Sequence, residues 1–288
     1  MEQLQDRVAV VTGAASGIGL AMCETFQAEG MKLVMADVEA AALDAAAGRL
    51  GATGEVLAVR TDVSNAEEVD ALRDAALARF GAVHVVCNNA SVGGGGPLDE
   101  LPLSTWRWVL GVNLWGVIHG VHSFLPGLVA QGEGHIVNTG SIAGLTSFPN
   151  MAAYNVSKHG VVTLSETLYS ELAASGSEVG VTVLCPGFVA TRIIDSDRNR
   201  PESLAQPLAE PDPDFERIRA VVKELYTQQK PPAEVAPLVV AAIRSKRLYC
   251  YTDDQFAPTI AERHRHIDAG TNPEPTPPLF EKLIEGSR

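Results

Sequence analysis

The feature that most narrows the fold of this 288-residue chain is a repeated alternation of short apolar runs with stretches of helical length. The runs fall at residues 8–12, 33–37, 56–61, 83–88, 135–139 and 181–185, with a late one at 248–251. Between them lie helical patterns at 19–29, 40–50 and 66–80, and longer ones at 104–130 and 151–174. Strand–helix alternation predicts a parallel sheet covered by helices on both faces. Right-handed crossovers then give an α/β, doubly wound parallel sheet, with ligands bound at the carboxyl ends of its strands. No break in composition divides residues 1–288 into two domains.

Charge removes one class of partner. Against 22 Lys+Arg stand 35 Asp+Glu, a formal net charge of −13, and nucleic-acid binding needs a basic face to displace counterions. The polar, acidic start runs straight into a strand and reads as no signal peptide. The apolar stretch from Val235 to Ile243 is too short to span a bilayer, so no membrane partner is expected. Cys23, Cys87, Cys185 and Cys250 are widely separated, and two of them sit inside strand-like runs. They are expected as buried thiols in a reducing, cytoplasmic setting. No His pair has zinc spacing, so no metal site is expected.

The first turn carries Thr12-Gly13-Ala14-Ala15-Ser16-Gly17-Ile18-Gly19. Glycines spaced G-x-x-x-G-x-G between a strand and a helix suit a dinucleotide pyrophosphate: Gly13 for the turn, Gly17 for close approach, Gly19 for helix–sheet packing. Asp37 closes the second strand, where a carboxylate reaches the adenosine ribose and repels a 2′-phosphate. Ala15 and Val38 stand where a basic residue would welcome that phosphate, so NAD is expected over NADP. Asp62-Val63 and Asn88-Asn89-Ala90 end the next two strands on the same edge, and Gly93 to Gly96 read as a mobile loop. The 104–130 segment holds Trp106, Trp108 and Trp115, with apolar residues all round, so burial on more than one side is expected, with a subunit partner as one cover. Asn113, in its middle, is either a core hydrogen-bond anchor or part of a site. Tyr154 and Lys158, four residues apart, share one helix face, with Ser141 arriving from a strand end. A Tyr-x-x-x-Lys pair alone occurs in many helices as two surface residues. A fixed ammonium beside a phenol lowers its pKa from about 10. Residues 188–232 form a polar, Pro-rich substrate lid with five arginines (192, 198, 200, 217, 219), free to grip a substrate carboxylate or to pair with Asp195, Asp197, Asp212 and Glu216. Helices are expected at 231–245 and 253–267, and residues 253–288 form a C-terminal extension with a Pro-rich tail from Thr271.

Taken in order, Thr12-Gly13-x-x-x-Gly17-x-Gly19, Asn88-Asn89-Ala90, Asn113, Ser141, Tyr154-x-x-x-Lys158 and Pro186-Gly187 resemble the motifs of the short-chain dehydrogenase/reductase family over about residues 5–190. The resemblance implies a Rossmann-type domain and a catalytic tetrad of Asn113, Ser141, Tyr154 and Lys158. It makes Tyr154 the base, has Ser141 hold the substrate oxygen, and has Lys158 bind the nicotinamide ribose and depress the tyrosine pKa. Asn113 would hold a water relaying protons to Lys158. Cofactor contacts are implied at Gly13, Ser16, Gly17, Ile18, Gly19, Asp37, Asp62, Val63, Asn89, Ala90, Tyr154, Lys158, Pro186, Gly187, Val189 and Thr191. Members usually continue Asn-Asn-Ala with Gly, and here that position is Ser91. The run Leu248-Tyr249-Cys250-Tyr251 and the helix after it are loosely similar to members oxidising bulky aryl secondary alcohols. The expectation is an NAD-dependent enzyme interconverting a secondary alcohol, bulky and apolar or aromatic, with its ketone, as a homo-oligomer (dimer or tetramer). The alternatives are an NADPH-dependent ketone reductase, against which Asp37 speaks, and a non-catalytic dinucleotide-binding regulator, against which the intact tetrad speaks.

Overall fold

The computed structural model describes residues 1–205, 223–224 and 226–274. Strands β1 (Val8–Thr12), β2 (Lys32–Asp37), β3 (Val56–Arg60), β4 (Val85–Asn88), β5 (His135–Thr139), β6 (Gly180–Cys185) and β7 (Tyr249–Tyr251) form one sheet. Its order is β3-β2-β1-β4-β5-β6-β7, and every neighbouring pair is parallel. This is the doubly wound, Rossmann-type arrangement expected from the alternation. The strand order reverses between β1 and β4, which opens a crevice at their carboxyl ends.

The period of two along each strand sorts apolar residues to opposite faces. In β1, Ala9 and Val11 join one core with Leu33 and Met35 of β2, while Val8 and Val10 join the other with Val34 and Ala36. Helices α1 (Gly17–Ala28) and α2 (Ala40–Gly51) cover the first face, through Met22, Phe26 and Leu43. The second face takes α3 (Ala66–Phe80), α5 (Gly116–Gln131) and α6 (Ala152–Ala174), through Leu72, Phe124, Val161 and Leu168. A further helix, α7 (Pro232–Ser245), returns to the first face beside α1 with Val239 and Ile243, and α8 (Ala257–Ala269) follows β7. All four cysteines are buried free thiols.

The 104–130 segment is one continuous helical run, Leu103–Gln131, as expected, but its winding is uneven: α4 (Leu103–Leu110) passes through a π turn at Gly111–Trp115 into α5. The wider turn changes the angular register, and within it Asn113 is 0% exposed while Trp115 is 54% exposed. Trp115 and Val129 are left exposed on the side for which a subunit partner was expected as cover. The run Leu103–Gln131 is long and apolar enough to cross a membrane, yet Trp108, Val109, Val117, Phe124 and Leu128 are buried within the cores. The Gly93-to-Gly96 run is a loop, as expected, and it makes specific contacts. Gly96 N–H donates to the Asn150 carbonyl at 2.8 Å, and a Cβ at Gly95 would collide with that same carbonyl oxygen. Here glycine serves close approach between two loops.

Polar side chains inside the second core tie the sheet to α6. Asn88 Nδ2 donates to Asn138 Oδ1 (2.9 Å), Asn138 Nδ2 donates to Ser165 Oγ (3.0 Å), and Ser165 Oγ donates to the Val161 carbonyl (2.7 Å). Asn138 and Ser165 are fully buried and Asn88 nearly so. Asn138→Ala leaves a buried donor and a buried hydroxyl without their partner, so a loss of about 1–3 kcal/mol is expected in equilibrium urea unfolding. An unchanged midpoint would show that the chain of amides adds nothing to the seating of α6.

Candidate active site

The carboxyl edge of the sheet collects the implied site residues from eight separate segments. After β1 the chain turns through Gly13 and Gly17, with φ of +67° and +56°, a region that glycine enters freely. A Cβ at Gly13 would lie 2.9 Å from Ala90 Cα, so this turn also packs against the end of β4. Ser16 caps α1 without a side-chain hydrogen bond, and the first turn, which includes Ile18 and Gly19, holds no acidic residue. Such a terminus keeps its amide donors and its positive dipole end for an anionic ligand. At the end of β2, Asp37 is fixed by two backbone donors, Ala15 N to Oδ2 and Glu39 N to Oδ1, both 3.0 Å. An ionised carboxylate has lone pairs left for ribose hydroxyls. These residues fit a dinucleotide.

Beyond β3, Asp62 Oδ1 accepts from Ser64 N and Oγ, and the Val63 carbonyl meets His119 Nδ1 at 2.9 Å. Asn89 bridges three strand ends: its Nδ2 donates to the Thr12 carbonyl (3.0 Å) and its Oδ1 accepts from Thr139 Oγ1 (3.2 Å). Ala90 N donates to Thr12 Oγ1. Past β6, the Pro186 carbonyl accepts from Ile142 N (3.0 Å), and Gly187 N donates to Thr252 Oγ1 (3.0 Å). Val189 is buried and bridges to Lys230, and the Thr191 methyl packs against Gly17 of the first turn.

The four tetrad residues meet beside this edge. Ser141 follows β5 and opens a short 3-10 turn (Ile142–Gly144), its Oγ accepting from Ala143 N at 3.1 Å. Tyr154 and Lys158 lie one turn apart on α6. Lys158 is 1% exposed, and its Nζ donates to the Thr139 carbonyl at 2.8 Å and stands 5.5 Å from the centre of the Tyr154 ring. Asn113 clamps the turn after β4 to the π turn. Its Oδ1 accepts from Val92 N (2.8 Å) and Ser91 Oγ (3.1 Å), and its Nδ2 donates to the Val92 carbonyl (2.9 Å) and Ser157 Oγ (3.3 Å). Two donors and two acceptor sites are thereby used, which is the full capacity of an amide side chain. A water on the way to Lys158 would have to be held by other atoms.

Electrostatics differ from the expectation that Lys158 depresses the tyrosine. Burial pushes the Tyr154 pKa up to about 12, and hydrogen bonds with Ser141 and then Ser91 pull the other way. Burial also brings Lys158 down to about 7. Desolvation penalises both charged forms and is the largest cause at each residue.

Ser91 was visible in the sequence only as a departure from the family pattern. Here its hydroxyl joins Tyr154 to Asn113. A second group had no local signal. Met151, Tyr154, Phe256 and Ile260 pack against a buried cluster of Ile142, Ala143 and Phe148. Phe188 meets the Tyr226 ring edge-on at 5.5 Å and Phe256 at 5.9 Å. Burial and the neighbouring Tyr154 hold the Tyr226 hydroxyl well above the usual tyrosine range.

Arg198 and Arg200 of the lid are engaged. Arg198 pairs with Glu39, and Arg200 pairs with Asp197 while its guanidinium lies 4.2 Å from the Trp108 ring centre. The first of these replaces the expected pairing with nearby aspartates. Arg217, Arg219, Asp212, Glu216 and the tail from residue 275 lie outside the described residues. Among the described residues no group of His, Cys, Asp and Glu is arranged to hold a metal ion.

Comparison with known proteins agrees with this geometry. The family described as short chain dehydrogenase matches residues 7–202. The solved structure of a short chain dehydrogenase/reductase from Burkholderia phymatum, in complex with NAD, is 45% identical and superposes with a TM-score of 0.92, covering 97% of this chain and 100% of that one. A CLA biosynthesis dehydrogenase/reductase from Lactiplantibacillus plantarum is 30% identical over 93% of this chain and 95% of its own length. The 1-deoxy-11-beta-hydroxypentalenate dehydrogenase of Streptomyces exfoliatus is 43% identical over 66% of this chain and 70% of its own.

The depressed lysine carries a signature in stability. Unfolding returns Lys158 to its ordinary value near 10.5, so between pH about 7 and 10.5 the unfolded chain binds one proton more and stability from this group rises with pH. Below pH about 7 both states are protonated, and the buried charge stays as a cost. Relative to Lys158→Met, the wild-type protein is expected to gain about 1 kcal/mol per pH unit across that window in urea unfolding. Parallel curves for the two proteins would place the lysine outside the low-dielectric interior.

Proposed function

The chain belongs to the short-chain dehydrogenase family, and on that premise we propose that it is an NAD-dependent dehydrogenase of bulky, apolar or aromatic secondary alcohols, with Tyr154 as acid and base. It is an oxidoreductase acting on a CH–OH group, as its dehydrogenase relatives indicate. One observation carries the finer reading: the Tyr154 hydroxyl lies between Ser141 and Ser91, one helical turn from a buried lysine, at the strand edge that holds the glycine turn and Asp37.

Nicotinamide, when bound, supplies the hydride acceptor or donor. The protein's residues position and polarise the alcohol. Ser141 holds the substrate oxygen, and Tyr154 Oη takes the alcohol proton as the C–H bond breaks and returns it in ketone reduction. Lys158, fixed by Thr139, presents its remaining donors toward the ribose and assists the phenolate. Asp37 receives the adenosine ribose, and its charge supports NAD over NADP. Asp62 and Val63 line the adenine side, and Pro186, Gly187, Val189 and Thr191 the nicotinamide side. Substrate bulk is supported by the wall of Phe148, Phe188, Tyr226 and Phe256, which favours a large ring system over a charged group. Exposed Trp115, Val156 and Tyr169 support a homo-oligomer as their cover.

Tyr154→Phe is expected to lower kcat by at least about 100-fold while NADH still binds; a variant keeping most of its turnover would remove the tyrosine from the reaction. When its single proton turns from Asn113 Oδ1 to the phenolate, Ser91 lowers the tyrosine pKa, and Ser91→Ala takes that hydrogen bond away. The acid limb of kcat/KM for alcohol oxidation should therefore move to higher pH by about half a unit to one unit. An unmoved limb would show that Ser91 supports only the turn.

A further inference from the structure

The sequence offers no cation at the positions following the second strand, yet the fold brings one there. Glu39, at the start of α2, donates its N–H to Asp37 Oδ1, so the two carboxylates share one turn. Its Oε1 accepts from Arg198 Nε (3.0 Å), Arg198 Nη2 (2.6 Å) and Asn199 Nδ2 (3.0 Å), which lie some 159 residues away in the lid. Both side chains are about one quarter exposed. The guanidinium does not depend on Glu39 for its place. Arg198 Nη1 also donates to the carbonyls of Arg192 (3.2 Å) and Asp195 (2.9 Å), and Ser196 Oγ anchors the same turn by accepting from Gly93 N at 2.9 Å. Burial works against ionisation of Glu39, but the Arg198 and Asn199 hydrogen bonds and the charges of Arg198 and Arg192 win, and its carboxyl stays below the usual range.

We infer that Glu39 is a cofactor-selectivity residue: it neutralises Arg198, the cation that the lid delivers to the ribose edge, and so withholds a counter-charge from a 2′-phosphate. The inference rests on the reading that places the adenosine ribose at Asp37. Asp37, Glu39 and Arg198 together carry a formal charge of −1; removing the Glu39 charge gives 0, and removing Arg198 gives −2. A 2′-phosphate feels those two changes with opposite signs, whereas the 2′-hydroxyl of NAD feels little of either. For a nearly dianionic phosphate about 6 Å away in a water-like dielectric, each step amounts to roughly a threefold to tenfold change in affinity, less at high salt. A mere mechanical latch behaves otherwise, because either substitution breaks the same contact and both then act in one direction.

Dissociation constants of NADH and NADPH for the full-length protein, measured by tryptophan fluorescence and calorimetry, separate these outcomes. Glu39→Gln is expected to improve NADPH binding relative to NADH by about threefold to tenfold, and Arg198→Gln to worsen it by a similar factor. Glu39→Asp, which keeps the charge, should retain the wild-type ratio, and about 0.5 M salt should shrink both shifts. Shifts of the same sign in Glu39→Gln and Arg198→Gln, or no shift in either, overturn the inference. Asp37→Ala serves as the reference for the underlying reading. If it too leaves the ratio unchanged, the ribose is not at Asp37; if it changes the ratio while Glu39→Gln does not, only the role of Glu39 is rejected.

Discussion

The contact on which the site depends is the hydrogen bond from the buried ammonium of Lys158 to the Thr139 carbonyl. A lysine has little reason to sit 1% exposed inside a protein unless something receives its protons. Here the carbonyl at the last residue of β5 receives one of them, which pins α6 to the carboxyl edge of the sheet. Nearby the backbone leaves almost no slack: a Cβ at Gly144 would stand 2.6 Å from the Lys158 carbonyl. The Asn88–Asn138–Ser165 amide chain ties the same helix to two strands one layer deeper. Tyr154 inherits its position from these contacts, since one helical turn fixes its direction relative to Lys158.

The raised tyrosine and the lowered lysine are two results of one cause. Loss of solvation is the first cause of both shifts: Lys158 is fully buried and Tyr154 is partly buried against Ile142 and Phe148. A phenol in such a place resists giving up its proton, and hydroxyl groups near it are worth more than they are in water. That gives the paired hydroxyls of Ser141 and Ser91 a physical reason to stand beside it. Asn113 contributes from behind, as a clamp that orients Ser91 and Val92.

Much of this was legible in the sequence, for identifiable reasons. Parallel strands covered on both faces read as apolar runs, so all seven strands were placed within two residues of their ends. The glycine turn and the Tyr-x-x-x-Lys pair are local patterns, and local patterns survive in one dimension. The π turn did not, because five residues of wider winding leave the composition of a helix unchanged while turning Asn113 inward and Trp115 outward. The Gly93-to-Gly96 run was legible as a loop, but composition does not say what a glycine lies against, here the Asn150 carbonyl. Arg198 and Glu39 meet across 159 residues, and nothing in either neighbourhood announces the other. Ser91 was seen, but only as a mismatch.

The aromatic residues Phe148, Phe188, Tyr226 and Phe256 are contributed from several points of the chain, and Phe148 falls between Ser141 and Tyr154 in sequence. On the proposed reading, reaction and recognition therefore rest on different side chains rather than on different stretches. Descendants of such a chain can change the molecules they accept by altering one aromatic position at a time, while the proton-handling centre is inherited intact. Diversity of substrate within one unchanged chemistry is then a property of how the fold distributes its parts.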